Sequence, residues 1–446
     1  MRVAVVGAGP AGIRAVETLV AAGLRPAWIE ESPDGGGRIA QRPPGAFRRD
    51  ARALYGADAP RARALHATLD GLKPQLDWRP GTLVWNLDPR TRRLELIQAG
   101  RRGTLDYDRI ILATGAMDRV VPLPGWTLPG VTTLGGAQVA LKAQGVAVGA
   151  RPVFIGTGPL LWLTALQYAR AGAPPPLILD TTPLLTKRAG LPMLLHDPAL
   201  ALRGLGLRLA LLRHAPIHED VTPIAIEGAG HVQAIRWRDA AWREHVTACD
   251  AVAMGWGLKP ETQLADLAEI PFAFDPIQRA HLPVRDAAGR SPVPGHYLAG
   301  DGARVAGAKV AEWTGARAAL ALLEDAGLPF DAGQAGWLEA RLQGQARARA
   351  ALERAFPYPA RLAARLPDDT MLCRCEGVTA GQVRASAAPD LNRAKALTRL
   401  GMGRCQGRVC GLAGAEILAA QLGVPVARVG RLRGQMPVKP IPMDAL

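Results

Sequence analysis

MRVAVVGAGPAGIRAVETL, residues 1–19, runs from an apolar stretch, Val3 to Val6, through Gly7, Gly9 and Gly12 into an alanine-rich helical segment. It reads as strand, tight turn and helix. The first glycine permits the turn, the second lets the backbone approach a pyrophosphate, and the third lets helix pack on strand, while the helix N-terminus offers amides and a favourable dipole. The next apolar strand, Pro26 to Ile29, ends in Glu30 and Glu31. An acid about 20 residues beyond the glycines accepts hydrogen bonds from adenosine ribose hydroxyls and disfavours a 2′-phosphate. The stretch therefore predicts a dinucleotide-binding α/β domain.

Two later segments extend this reading. Tyr107 to Ala116 (YDRIILATGA) is a continuous apolar strand ending in Ala-Thr-Gly, and His296 to Gly302 (HYLAGDG) is a strand ending in Gly300-Asp301. In this order they resemble the two-dinucleotide-domain flavoproteins related to glutathione reductase. The resemblance implies FAD, with Thr114 and Gly115 beside the nucleotide and Gly300 and Asp301 at the ribityl chain and flavin phosphate. Gly37, Arg38 and Val84 are placed with them as cofactor contacts, Arg38 standing where relatives usually have glutamine and adding positive charge near the flavin phosphates. A second strand-turn-helix, PVFIGTGPLLWLTALQYARAGA, follows Arg151 and carries Gly156 and Gly158, with Asp180 where a ribose acid belongs. Leu161 replaces the third glycine and Pro174 to Pro176 interrupt the approach to the next strand, so the helix is expected to stand further from its sheet. NAD, another nucleotide or nothing remain open for this second fold.

Four of five cysteines lie near the end, Cys373 and Cys375 as C-x-C, then Cys405 and Cys410 as C-x-x-x-x-C. Four thiolates brought together by a small fold suit a soft or borderline metal, zinc or iron-sulfur. Zinc knuckles favour C-x-x-C pairs, so the uneven spacing tilts towards iron-sulfur. Disulfides and buried core cysteines are the blander readings. The first strand begins at residue 2 with no secretory pattern before it, which predicts a cytoplasmic, reducing setting. Gly401, Gly403, Gly407 and Gly411 surround the second pair and let backbone amides turn towards sulfur, as they would in any tight turn. Short helices are expected over 379–388, 391–399 and 416–422.

A chain of 446 residues, 48% hydrophobic and 5% aromatic, is long enough for two or three cores. No run reaches the roughly 18 unbroken apolar residues of a membrane span. Because Asp301 arrives only after the second glycine motif, the second fold must be inserted into the first. The expected layout is an FAD domain from 1–118 and 286–330, an inserted nucleotide-type domain at 119–285, a helical linker at 331–365 and a cysteine domain at 366–446. Net charge is +15. It is mostly arginine, densest from Arg341 to Arg365, and no recognition motif accompanies it, which argues against nucleic acid. A basic face for an acidic protein or an anionic substrate stays open. The eight histidines are scattered and read as surface or loop residues, leaving no catalytic residue to name.

Ala116 to Lys142 (AMDRVVPLPGWTLPGVTTLGGAQVALK), GTGPLL at 156–161 and Cys373 to Gly411 together resemble the FAD-binding large subunit of heteromeric amino-acid and opine dehydrogenases. That group includes octopine, nopaline and hydroxyproline dehydrogenase subunits and the cyanide-forming glycine dehydrogenase. The cysteine segment is similar to bacterioferritin-associated ferredoxin. The resemblance implies a two-iron two-sulfur cluster on Cys373, Cys375, Cys405 and Cys410. It implies partners too, a second FAD-containing catalytic subunit with a small ferredoxin-like subunit beside it, in a hetero-oligomer that passes electrons from substrate to an acceptor. No redox-active cysteine pair lies in the first half, since Cys249 stands alone, so disulfide reduction is not expected. A stand-alone NAD(P)H-linked flavin and iron-sulfur reductase is the second enzyme reading, and a redox-sensing or assembly subunit the non-catalytic one.

Overall fold

Val3–Val6 is fully apolar and covered, and it forms the centre of a five-stranded sheet. Across this sheet the order is His296–Leu298, Arg109–Leu112, Val3–Val6, Ala27–Ile29 and Asp77–Arg79, all parallel. The computed structural model describes residues 1–47 and 49–443. The chain reaches the edge strand at residue 296 only after building a second parallel sheet, ordered Ile217–Glu219, Ile178–Asp180, Pro152–Thr157, Ala251–Trp256 and Val131–Thr133. An antiparallel pair, Ala116–Asp118 with Leu258–Pro260, joins the two units. Among the described residues no helix is long and apolar enough to cross a membrane.

The first helix, Pro10–Ala21, begins with proline at its first turn and buries Ile13, Val16 and Leu19. It packs on Ala308–Asp325 at backbone contact: a β-carbon on Gly315 would lie 2.0 Å from the Ala11 carbonyl oxygen. The degenerate second motif packs through a side chain where the first uses a glycine. Leu161 is fully buried beside Phe154 and Ala165, so helix Pro159–Arg170 packs on its sheet through an apolar side chain rather than through a glycine. Pro174 to Pro176 do not prevent strand Ile178–Asp180 from pairing in register, Phe154 opposite Ile178. His296 departs from the surface reading. It is 2% exposed and bonded to the Tyr107 hydroxyl at 2.8 Å.

Helix Ala332–Ala355, in the stretch expected to be a linker, runs along the second unit, and the chain after it enters the space between the two sheets. The cysteine segment forms a small hairpin, Met371–Cys373 with Val378–Thr379, and helices Ala380–Ala385, Leu391–Thr398 and Gly411–Leu422. Thr379 and Gln382 make a reciprocal capping box that starts the first of these. Leu372, Ile417 and Leu418 share one continuous apolar core with Val153 and Trp256 of the second sheet.

Lys142 is 1% exposed, with its ammonium 3.2 Å from the Ile39 carbonyl oxygen. Burial pulls its pKa from 10.5 down to about 8, against a smaller upward pull from Asp58. The folded chain thus holds the proton less tightly than the unfolded one, and stability rises as pH climbs from about 8 to 10.5. Lys142→Met is expected to add about 1–3 kcal/mol at pH 7, a gain that fades towards pH 10.5, in paired urea unfolding curves.

Candidate functional site

A cavity of about 940 Å³ opens where the strands of the first sheet end and extends to the second. Gly7, Gly9, Glu30, Glu31, Gly37, Arg38, Val84, Thr114, Gly115, Gly300 and Asp301 all line it, as does Gly158. Gly12 and Gly156 are not on its wall. Gly12 serves packing, since a β-carbon there would lie 1.9 Å from the Gly7 carbonyl oxygen. Gly9 caps helix Pro10–Ala21 without any side-chain hydrogen bond, which leaves the first-turn amides for an anion. Glu30 fixes its carboxylate at the strand end by accepting Ala8 N–H at 2.7 Å and Ser32 N–H at 2.8 Å, and its other lone pairs remain for hydroxyls. The sequence offered two acids here. Glu31 is the more outward one and is ion-paired with Lys439. Arg38 is exposed on the rim.

At the other end Asp301 accepts Ala306 and Gly307 N–H at 2.8 and 3.0 Å, just ahead of helix Ala308–Asp325. Burial holds its carboxyl above the usual range, opposed by those amides and by Arg349. An uncapped helix start, a fixed ribose-type acid and a buried carboxyl at the ends of one cavity suit an extended dinucleotide.

Several lining residues were not legible in the sequence. Arg349, Glu353 and Tyr358 come from the supposed linker, and Arg119 follows the Thr-Gly turn. Arg119 is 7% exposed and donates to the Gln278 carbonyl at 2.6 Å, while Gln278 also donates to Glu353 at 2.6 Å. Burial pushes the Glu353 carboxyl up and the Arg119 guanidinium down. The spacing of Arg349 and Glu353, four apart on a helix, was the only available signal.

The chain itself packs against the second glycine turn, part of which lines the cavity. Phe356 lies against that turn, so that a β-carbon on Gly158 would be 3.6 Å from that of Phe356. The Phe356 ring also meets Trp162 edge-on at 5.5 Å. Asp180, the expected ribose acid, is fully buried, accepting Thr182 N–H at 2.9 Å and the Lys187 ammonium at 2.9 Å.

The cysteines gather two and two. Cys373 lies beside Cys410 and Cys375 beside Cys405, and the charges of Cys373 and Cys375, and of Cys405 and Cys410, also influence one another. Cys410 donates to Cys373 and so lowers the Cys373 thiol to about 6, aided by the amides of Gly401, Glu376 and Cys375, while Cys410 itself is raised. Among the described residues, no three His, Cys, Asp or Glu side chains surround one ion position. None of the five cysteines lines the large cavity, and Cys249 is buried, its thiol pushed up to about 11.

Residues 1–319 match the family model described as pyridine nucleotide-disulphide oxidoreductase. An opine oxidase subunit of Agrobacterium tumefaciens is 37% identical over 99% of this chain and 90% of its own length. Hydrogen cyanide synthase subunit HcnB of Pseudomonas aeruginosa is 31% identical over 100% of this chain and 98% of its own. Among solved structures, L-proline dehydrogenase from P. horikoshii superposes with a TM-score of 0.73 at 19% identity, covering 100% of this chain and 79% of that one. The T. acidophilum thioredoxin reductase gives 0.54 at 19% identity, over 73% of this chain and 98% of that one. Fold, cavity and full-length relatives agree: the chain belongs to the pyridine nucleotide-disulphide oxidoreductase family and is an FAD-dependent oxidoreductase.

Proposed function

We propose that this chain is the FAD- and two-iron two-sulfur-containing electron-transfer subunit of a cytoplasmic hetero-oligomeric amine or amino-acid dehydrogenase. A second FAD-containing subunit oxidises the substrate, a small ferredoxin-like subunit completes the assembly, and this chain routes the electrons to an acceptor. The carrying observation is a contrast between two entrances. Phe356 packs on the glycine turn of the nicotinamide-type cradle and Lys187 binds its acid, whereas the cysteine segment adjoins the flavin cavity. This favours electrons arriving from a partner rather than from free NADH.

Cys373, Cys375, Cys405 and Cys410 would hold the cluster, their uneven C-x-C and C-x-x-x-x-C spacing favouring two irons over one zinc. Bound FAD accepts a two-electron equivalent and releases electrons singly to such a centre. Gly7, Gly9, Glu30, Thr114, Gly115 and Asp301 position the dinucleotide, while Gly401 and Glu376 amides point at a ligand sulfur, the contact that tunes cluster potential. A partner is further supported by an apolar face. Leu195 is 84% exposed and Leu202 64%, with Leu205, Leu209 and Leu212 continuing the helical stripe. The naming of full-length relatives as subunits agrees.

Anaerobic expression, with iron, acid-labile sulfide and flavin measured before and after Cys405→Ser, tests the reading. One FAD with two irons and two sulfides is expected, the variant losing iron and keeping flavin. Zinc in place of iron would reduce the cysteine segment to a structural clamp. Robust amino-acid oxidation by the chain alone would overturn the division of labour.

A further inference from the structure

The segment after strand Leu258–Pro260 touches both redox elements. On one side, Glu261 donates its N–H to the Gly115 carbonyl at 2.9 Å and accepts the Thr114 hydroxyl on its own carbonyl at 2.6 Å. Its backbone is thus clipped to the Thr-Gly turn of the flavin cavity. On the other side, its carboxylate receives Arg408 in a two-pronged pair, Nε at 2.6 Å and Nη2 at 3.2 Å. Arg408 lies between Cys405 and Cys410, and its remaining nitrogen donates to the carbonyls of Val438 at 2.7 Å and Cys405 at 3.4 Å. Both side chains of the pair are about 15% exposed, 15% for Glu261 and 14% for Arg408, so water screens them little. Two residues on, Gln263 donates to the Gln406 carbonyl in the same cysteine loop at 2.9 Å.

From this we infer that Glu261 and Arg408 are positioning residues for electron passage between the two centres. They fix the distance and orientation of the Cys405–Cys410 loop relative to the flavin turn. The inference rests on the relay reading above. Four features single out this contact. Both residues line the flavin cavity. The link from Thr114 to the cysteine loop passes through one residue, Glu261. The planar guanidinium meets the carboxylate at two points, which sets angle as well as distance. Finally, the two ends of Glu261 serve different neighbours, its backbone the Thr-Gly turn and its carboxylate Arg408.

The balance of the step is simple. With both groups bound, reduced flavin would supply two electrons and one proton, each electron would take one ferric iron to ferrous, the proton would leave with the second, and a one-electron acceptor protein would reoxidise the cluster between the two transfers. The pair's task is to hold the geometry in which each electron crosses.

Full-length protein would be photoreduced anaerobically with light and EDTA, and flavin bleaching and cluster reduction followed separately by visible absorbance and by electron paramagnetic resonance. Glu261→Gln and Arg408→Lys each keep size and break the two-point pair. Both are expected to retain one FAD and two irons, to bleach flavin at the wild-type rate, and to reduce the cluster at least about tenfold more slowly, as small misplacements of reacting groups do. Unchanged cluster reduction in cofactor-replete variants would overturn the inference. Loss of iron from both conservative variants would overturn it also, by making the pair a staple of the fold. Wild-type protein without iron or without flavin would instead sink the relay reading itself.

Discussion

Trp126→Ala should lower stability by about 3–5 kcal/mol, the range for truncating a buried tryptophan. Trp126 is 6% exposed, sits in the Pro124–Gly130 turn of the second unit and donates its indole N–H to the Met371 carbonyl at 2.6 Å. Met371 opens the strand that carries Cys373, and the Arg374 guanidinium lies 5.4 Å above the indole. One side chain therefore joins the second unit to the cysteine hairpin. The turn presenting it is held hard against its neighbour. Gly125 has φ +81°, and a β-carbon there would lie 1.8 Å from the Ile226 carbonyl oxygen. The truncation should shift the urea midpoint and let a thiol reagent reach Cys373 and Cys410, which are 2% and 1% exposed in the native fold. Trp126→Phe retains the packing and strands only the Met371 carbonyl, so a loss of about 1–2 kcal/mol is expected. Equal losses for the two variants would show that the hydrogen bond, not the packing, does the joining.

Gly12→Val is the second large effect, and its readout is colour. The added β-carbon falls 1.9 Å from the Gly7 carbonyl oxygen and 3.5 Å from the Trp28 indole nitrogen, which itself donates to Gly7 at 3.1 Å. Backbone cannot yield there without moving the whole phosphate turn. The cost should exceed the usual 1–3 kcal/mol of an overpacked core, reaching about 4 kcal/mol or more. The purified variant should be nearly free of flavin by absorbance. Gly23→Ala is the control, at φ +81° with nothing within 4 Å of the added atom. It should cost only about 1 kcal/mol and stay yellow. A yellow Gly12→Val protein would refute the packing role given to the third glycine.

Much of this was readable from the chain, and for a physical reason. Gly7, Gly9, Gly12 and Glu30 lie within 24 residues and act through local backbone geometry, so their spacing carries the meaning. Asp301 and the Thr-Gly turn were readable because a parallel sheet delivers strand ends to one place. What sequence hid was made by distant contacts. Nothing in the run from Arg341 to Arg365 says that Arg349 will line the cavity or that Phe356 will pack on Gly158. Leu161, which looks like a defect in a motif, is a fully buried core residue. The pairing of Glu261 with Arg408 spans 147 positions and carries no local pattern.

The ion pair between Glu31 and Lys439 has a consequence for when the cavity is complete. With Val438 bonded to the Trp85 carbonyl at 3.0 Å, it fastens the chain's last described stretch across the mouth formed by its first strands. Walls contributed from residue 6 to residue 439 enclose a single space. Such a space does not exist while the chain is still being synthesised, because N-terminal segments emerge first and must wait for contacts hundreds of residues away. The complete cavity therefore forms only once the last described residues have folded back against the first strands.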